Sequence, residues 1–118
     1  MKTILIADDS LFMRTWLKRI IHEANHKVVA EASNGQEAIE LYNQINPDIT
    51  FLDVTMPKVN GITALKEIIK INPKAKVIMC SALGAKQTVM EALQIGAKDF
   101  IVKPNFDKLP EILTKINE

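Results

Sequence analysis

Carboxylates, a hydroxyl and an ammonium group follow four separate apolar runs of this 118-residue sequence. Asp8 and Asp9 are adjacent at the end of the run TILIA, and Asp53 directly follows ITFL. Ser81 follows KVIMC, and Lys103 follows DFIV. Clustered carboxylates raise one another's pKa and weaken a fold unless a counterion is present. A hard divalent cation such as Mg²⁺ is the ordinary partner of a few carboxylates and phosphate oxygens.

The same residue types fit phosphoryl transfer. An aspartate carboxylate can be the nucleophile that accepts a phosphoryl group. A lysine ammonium and a serine hydroxyl can hold the phosphoryl oxygens while negative charge builds on them. We therefore treat these acids, the serine and the lysine as one candidate site.

Each of these residues also has a purely structural interpretation. Asp9 or Ser10 could simply cap the first long helix, and Ser81 could cap a later one. Asp53 could form a turn at a strand end, and Lys103 could be a solvated lysine. Convergence favours the functional interpretation, because four separate strands would deliver complementary chemistry to one place.

The elements that must position these residues follow from an alternation of apolar runs and helical periodicity. The predicted strands are Thr3–Ala7, Lys27–Ala32, Asp48–Leu52, Lys76–Cys80 and Asp99–Val102. Five stretches with apolar residues at three- and four-residue spacing lie between and after them. This alternation predicts an α/β fold, a parallel sheet with helices on both faces. Ligands bind such sheets at the carboxyl ends of the strands, where the candidate residues fall.

Prolines and polar residues indicate where helices end. Asn-Pro pairs at 46–47 and 72–73 are expected to end two helices, because a residue before proline avoids the helical region. Pro110 fits the last helix if it lies in the first turn and Asp107 is the cap. We expect His22 and His26 at the surface, and Trp16 packed in the core or half-buried.

Composition indicates one globular domain over residues 1–118. Hydrophobic residues make up 47% and charged residues 25%, and the net charge of +1 gives no case for direct nucleic-acid binding. The first residues are too short an apolar stretch for a signal peptide, and no run approaches transmembrane length. We therefore expect a cytoplasmic protein without membrane insertion. The single cysteine, Cys80, excludes an internal disulfide and is expected to be buried.

Four motifs, in their order and spacing, resemble those of the response-regulator receiver domain, especially its single-domain chemotaxis members. The motifs are DD at 8–9, DVTMPKVNG at 53–61, CSA at 80–82 and GAKDFIVKP at 96–104. The resemblance runs from Ile4 to the final helix. It implies a flavodoxin-like (βα)5 fold whose five-stranded parallel sheet has the order 2-1-3-4-5.

The resemblance implies a phosphoacceptor and a metal site. Asp53 would take a phosphoryl group from a histidine kinase. Asp9 and Asp53 would bind Mg²⁺, or Mn²⁺ in its place, directly. Asp8 would bind it through water, and the backbone carbonyl of Thr55 would complete the protein ligands.

The resemblance also implies a conformational output. Lys103, the Ser81 hydroxyl and backbone amides near Thr55 and Ala82 would contact the phosphoryl oxygens. Ser81 would move toward the new group, and Phe100 would rotate inward. These movements would shift an existing equilibrium on the surface formed by the fourth helix, fifth strand and fifth helix.

Partners and kinetics also follow from the resemblance. The expected partners are a chemotaxis-type histidine kinase and a phosphorylation-dependent protein target such as the flagellar motor switch. The protein would dephosphorylate itself slowly, without turnover of an independent substrate, and Thr55 and Leu83 would tune that rate. The Lys103-Pro104 peptide would be cis. In the family a phenylalanine often follows the Lys-Pro pair, but here that residue is Asn105. The resemblance therefore does not determine where the last helix begins.

Three alternatives stay open at this point. The chain could be a stand-alone or excised receiver from another two-component pathway. A Mg²⁺-dependent phosphatase with an aspartate nucleophile would want the pattern DxD, whereas Asp8 and Asp9 are adjacent and Asp53-Val54-Thr55 lacks a second acid. A flavodoxin-like cofactor binder would need a hydroxyl- and glycine-rich loop after the first strand. Asp8 and Asp9 stand at that place and would repel the phosphate of the cofactor.

Overall fold

The computed structural model describes residues 1–82 and 86–116, so Leu83 lies outside the described residues. Its elements, in chain order, are β1 Thr3–Ala7, α1 Leu11–Glu23, β2 Lys27–Ala32, α2 Gly35–Ile45, β3 Ile49–Asp53, α3 Gly61–Ile71, β4 Val77–Ser81, α4 Lys86–Ile95, β5 Asp99–Val102 and α5 Leu109–Ile116. All strand pairs are parallel, and the order is β2-β1-β3-β4-β5. The predicted fold class and strand order are confirmed.

Apolar side chains from the strands supply a core on each face of the sheet. Leu5, Leu52 and Met79 pack with α2, α3 and α4 on one face. Phe51 and Ile78 pack with α1 and α5 on the other face. Strands covered on both faces lose nearly all solvent contact, which explains their continuous apolar runs. Among the described residues, no helix has both the length and the apolar character that a bilayer span requires.

Two strands begin and end one residue later than predicted, and both shifts concern the candidate site. β3 ends at Asp53 and β4 ends at Ser81. Ladder pairing continues to these positions, with Asp53 in register with Cys80 and Ser81 in register with Val102. Both polar side chains therefore start from strand backbone and not from a loop.

Side-chain caps start the first three helices. The amide three residues further on donates a hydrogen bond to each cap side chain, at 3.3, 2.9 and 2.9 Å for Ser10, Asn34 and Asn60. These bonds satisfy amides that have no partner within the helix. Ser10 is thus the cap of α1.

Helix ends agree with the prediction in part. Asn72 is extended before its proline as expected, whereas Asn46 leaves the helix through the left-handed region, with φ 55° and ψ 56°. α5 begins at Leu109, so the predicted cap at Asp107 is wrong. The amide of Asp107 instead donates to the side chain of Asn105 at 3.3 Å, which forms a separate turn. Pro110 lies in the first turn of α5, as expected.

Several other sequence expectations can be compared with the structure. His22 is exposed, but His26 is half-buried, and its Nδ1 accepts a hydrogen bond at 3.0 Å from the amide of Lys2, just before β1. Trp16 is 37% exposed and packs edge-on against Phe106. Cys80 is buried, as predicted.

Thr50→Val is expected to stabilise the protein. Among residues 1–82 and 86–116, the Thr50 hydroxyl is the one buried side-chain polar atom without a hydrogen-bond partner. A buried unpaired group costs about 1–3 kcal/mol, and valine has nearly the same shape. We therefore expect the free energy of unfolding, measured with urea and circular dichroism, to rise by about 1 kcal/mol. Thr63→Val, at an exposed position of α3, is the control. A lower stability of Thr50→Val would contradict this account.

Candidate functional site

Three carboxylates meet where β1 and β3 end. One oxygen from each of Asp8, Asp9 and Asp53 lies within 4.8 Å of the others. Asp8 and Asp53 are only 1% and 5% exposed, whereas Asp9 is exposed. β1 and β3 are neighbours with Ala7 in register with Leu52, so the residues that follow emerge side by side. The sheet therefore assembles the predicted acidic cluster.

The ammonium of Lys103 bridges the two buried carboxylates. Its Nζ lies 3.0 Å from Oδ2 of Asp8 and 3.3 Å from Oδ1 of Asp53. The backbone amide of Lys103 donates to the carbonyl of Ser81 at 2.7 Å, which holds the end of β5 beside β4. Lys103 contacts two of the three carboxylates, so within the described residues the cluster keeps an excess of negative charge that favours a further cation.

All four polar atoms of Asp8 have partners. Its amide donates to the carbonyl of Ala32 at 3.0 Å, and its carbonyl accepts from Nη1 of Arg14 at 2.7 Å. In the side chain, Oδ1 accepts from the amide of Ser10 at 2.9 Å, and Oδ2 accepts from Lys103 at 3.0 Å. Asp8 cannot rotate without breaking several of these hydrogen bonds, so its carboxylate is held in one orientation in the cluster.

The local electrostatics oppose ionisation of Asp53. Burial is the largest cause that raises the pKa of Asp53, and the charge of Asp8 raises it further. Lys103 and the amide of Thr55 act in the opposite direction without reversing the shift. Burial alone would lower the pKa of Lys103, but its hydrogen bond to Asp8 and the charge of Asp53 raise that pKa overall. Both shifts indicate a pocket that favours more positive charge.

The other predicted phosphoryl-binding residues border the cluster. Ser81 is the last residue of β4, and it is 5% exposed. Ala82 follows it at the exposed edge of the sheet. Thr55 lies just after β3, and its amide donates to the carboxylate of Asp53. The structure thus brings the predicted residues to one edge.

Phe100 lies beside the cluster and not in it. It is on β5, in register with Met79 of β4, and it packs half-buried against the α2–α4 side of the core. The peptide between Lys103 and Pro104 is cis, as the sequence resemblance implied.

The turn between β3 and α3 is closely packed. Gly61 starts α3, and its amide donates to the carbonyl of Val54 at 2.8 Å. A Cβ at this position would collide with the carbonyl oxygen of Asp53. The glycine of the motif DVTMPKVNG is therefore required because helix α3 approaches the acid-bearing strand end.

Sequence reasoning missed Arg14 and Glu31. Arg14 contacts the backbone of Asp8, and its Nε donates to Glu31 at 3.0 Å. Two signals were present in the sequence. Arg14 lies one helical turn after Ser10, and helical side chains point back toward the helix start. Glu31 is a charge within the otherwise apolar run of a predicted strand.

The comparison with protein families identifies the class of protein. Residues 4–117 match the response regulator receiver domain. The chain therefore belongs to the response regulator receiver domain family.

Within this family, the chain resembles chemotaxis proteins named CheY. It is 52% identical to that of Thermotoga maritima over 118 residues, which cover 99% of this chain and 98% of the relative. It is 50% identical to that of Listeria monocytogenes over 116 residues, covering 98% of each chain. A chain in the crystal structure of a CheX-CheY-BeF3-Mg complex from Borrelia burgdorferi matches with a TM-score of 0.93 at 39% identity, covering 98% of this chain and 89% of that one. The chain is thus a CheY-like receiver, which supports chemotaxis two-component signalling.

Asp53→Asn should stabilise the fold when divalent cations are absent. The raised pKa of Asp53 means that the folded protein disfavours its ionised form. That cost appears as pH rises through the ordinary aspartate range, and it is absent below about pH 3. We expect a higher urea midpoint for the variant at pH 7 in EDTA, and a much smaller difference at low pH.

Asp48→Asn is the matched control for that measurement. Hydrogen bonds from the amide and hydroxyl of Thr3, at 2.8 and 3.0 Å, lower the pKa of Asp48. Its charge therefore favours the fold, and this variant should be less stable than the wild type at pH 7. A destabilised Asp53→Asn in EDTA would contradict the electrostatic account.

Proposed function

We propose that this chain is the phosphoacceptor of a chemotaxis two-component system and that Asp53 takes the phosphoryl group. The observation that carries the proposal is the position of Asp53, a buried carboxylate at a strand end beside two other acids. The Nζ of Lys103 lies 3.3 Å from it. The CheY relatives support the pathway.

The contacts of the three acids favour Asp53 as the nucleophile. Asp8 is committed to hydrogen bonds through all its polar atoms. Asp9 is exposed, so water solvates its charge. Asp53 is buried, and the repulsion from Asp8 leaves its negative charge poorly compensated. A poorly compensated carboxylate is the more reactive nucleophile.

In the proposed reaction, a carboxylate oxygen of Asp53 attacks the phosphorus of a phosphohistidine on the kinase. The O–P bond forms while the P–N bond breaks, and the electron pair of that bond stays on the imidazole nitrogen. The product on this chain is an acyl phosphate. Lys103, the hydroxyl of Ser81 and amides near Thr55 and Ala82 would hold the three phosphoryl oxygens.

The chemistry of the donor set fits Mg²⁺. Three carboxylates within 4.8 Å offer the hard oxygen ligands that this ion prefers, and Mn²⁺ shares the preference. We propose that Asp9 and Asp53 are direct ligands, that Asp8 acts through water, and that the backbone carbonyl of Thr55 completes the set. Bound there, the ion would neutralise charge on the carboxylates and the phosphoryl group. The Borrelia burgdorferi CheX-CheY complex contains both Mg and BeF3, which supports this proposal.

We propose Ser81 and Phe100 as the residues that carry the switch to a protein-binding surface. Phe100 is half-buried on β5, next to the strand that ends in Ser81. Exposed apolar side chains occupy the neighbouring α4 and β5, at Met90, Leu93 and Val102. Exposed apolar surface of this kind is typical of protein contacts.

The proposed partners are a chemotaxis-type histidine kinase and a target such as the flagellar motor switch. We also propose that residues 1–118 act as one receiver domain in the cytoplasm, and that the acyl phosphate is lost by slow self-hydrolysis.

Family members are typically signalling proteins and not enzymes. The alternative is that the chain is a receiver from another two-component pathway. Phosphotransfer profiling against candidate kinases distinguishes the two, because it identifies the kinase that phosphorylates this chain.

Acetyl phosphate tests the phosphoacceptor assignment directly. With Mg²⁺ present, intact-protein mass spectrometry should show one added phosphoryl group on the wild type. Asp53→Asn should show none, because the nucleophile is missing, and EDTA should prevent labelling of the wild type. Asp48→Asn, an exposed aspartate outside the cluster, is the control and should be labelled normally. Labelling of Asp53→Asn at the wild-type rate would refute the assignment.

Lys103→Met tests the role of the ammonium. The variant keeps most of the apolar stem of the side chain but loses the ammonium charge that would hold the phosphoryl oxygens. We expect the protein to stay folded while the response of the α4–β5–α5 surface to Mg²⁺ and BeF3⁻ falls by at least about tenfold. BeF3⁻ stands in for the phosphoryl group, and amide NMR shifts report the response. Lys98→Met, at an exposed lysine, is the control. A complete response by Lys103→Met would show that the proposed role is wrong.

A further inference from the structure

Arg14 joins α1 to two neighbouring strands through a single guanidinium group. Its Nη1 donates to the backbone carbonyl of Asp8 at 2.7 Å, and its Nε donates to Oε1 of Glu31 at 3.0 Å. The side chain is 15% exposed, so little water competes for these bonds. A planar guanidinium directs its donors in fixed directions, so the two acceptors hold it in one orientation.

Glu31 is itself held in place. Nζ of Lys18 donates to its Oε2 at 2.9 Å, so both carboxylate oxygens are occupied. Glu31 is on β2, in register with Ile6 of β1. The next residue, Ala32, accepts the amide hydrogen of Asp8 at 3.0 Å. β2 and Arg14 together therefore fix both backbone polar groups of Asp8.

The Asp8 carbonyl matters because it belongs to the peptide unit that leads into Asp9. A peptide unit is planar, so fixing its carbonyl also fixes the direction in which the Asp9 residue begins. Asp9 is exposed, and within residues 1–82 and 86–116 no hydrogen bond or ion pair holds its side chain. The backbone before it is thus what places its carboxylate within 4.8 Å of Asp8 and Asp53.

We propose that Arg14, held by Glu31, is a positioning residue for the cation site. Through the Asp8 carbonyl it orients the peptide that carries Asp9, and so prepares the three carboxylates for one divalent ion. The inference rests on the proposed function, in which these carboxylates bind Mg²⁺.

The sign of the effect separates positioning from simple electrostatics. A guanidinium near a cation site repels the cation, so loss of its charge alone would strengthen Mg²⁺ binding. Loss of positioning would weaken Mg²⁺ binding, because Asp9 would sample orientations that face away from Asp53. The two explanations therefore predict opposite outcomes for Arg14→Met.

Calorimetric titration with MgCl₂ measures this difference. We expect Arg14→Met to weaken Mg²⁺ binding by about tenfold or more, as is common when a group that orients a metal ligand is lost. Arg14→Lys should weaken it as well, because an ammonium keeps the charge but lacks the fixed fork of donors. Arg19→Met is the matched control on α1, since it removes the same charge at an exposed position outside the Arg14–Glu31 contact, and it should bind Mg²⁺ nearly as the wild type does.

Labelling kinetics supply a second readout that a merely structural role would not change. At saturating Mg²⁺, Arg14→Met should react with acetyl phosphate at close to the wild-type rate, while the Mg²⁺ concentration for half-maximal rate rises by the same factor as the dissociation constant. Glu31→Gln should show part of this effect, and the double variant should be no worse than Arg14→Met alone.

The outcomes separate the inference from the proposed function. Wild-type or tighter Mg²⁺ binding by folded Arg14→Met would overturn the inference and leave the proposed function standing. Absence of Mg²⁺ binding by the wild type would contradict both. If Arg14→Met does not fold, Arg14→Lys and Glu31→Gln decide, and wild-type affinity in both would overturn the inference.

Discussion

The crowding of Asp8 and Asp53 around one ammonium is the constraint on which this site depends. Lys103 lies 3.0 and 3.3 Å from the two carboxylates, although it is 95 residues from Asp8 in sequence. Two buried like charges with one counterion are unfavourable in a protein interior, and the raised pKa of Asp53 expresses that cost. The excess of negative charge in this arrangement favours the binding of a further cation. The receiver family assignment is consistent with that use.

The rest of the fold offsets the free-energy cost of crowding these charges. β1, β3 and β4 are apolar and covered on both faces, and they end at the same edge with the polar residues at their last or next positions. Gly61 lets α3 approach the end of β3, and the Lys103 amide ties β5 to β4. The side chains of the cluster therefore start from backbone that the two cores hold rigid. Stability gained in the cores offsets what the site costs, a common division between scaffold and functional residues.

Much of this could be predicted from the sequence, because it depends on local patterns. Apolar runs gave the strands to within one residue, and the rule for parallel sheets placed Asp53, Ser81 and Lys103 at one edge. Strand order came from the family resemblance, since periodicity does not encode it. Arg14 and Glu31 were missed because their contact joins a helix to a strand that are distant in sequence. The Asp107 cap failed for a local reason, since the Asp107 amide donates to the side chain of Asn105, two residues earlier, and forms a separate turn there.

The most direct test of the central claim is a crystal structure of the wild type grown with Mn²⁺, with data collected for anomalous scattering from that ion. The account predicts one strong anomalous peak among the three carboxylates, about 2.1 Å from oxygens of Asp9 and Asp53. The Lys103 ammonium should remain in contact with Asp8 and Asp53, on the side of these carboxylates away from the ion. A well-ordered acidic pocket without any peak, at millimolar Mn²⁺, would contradict the claim that this cluster is built around a divalent cation.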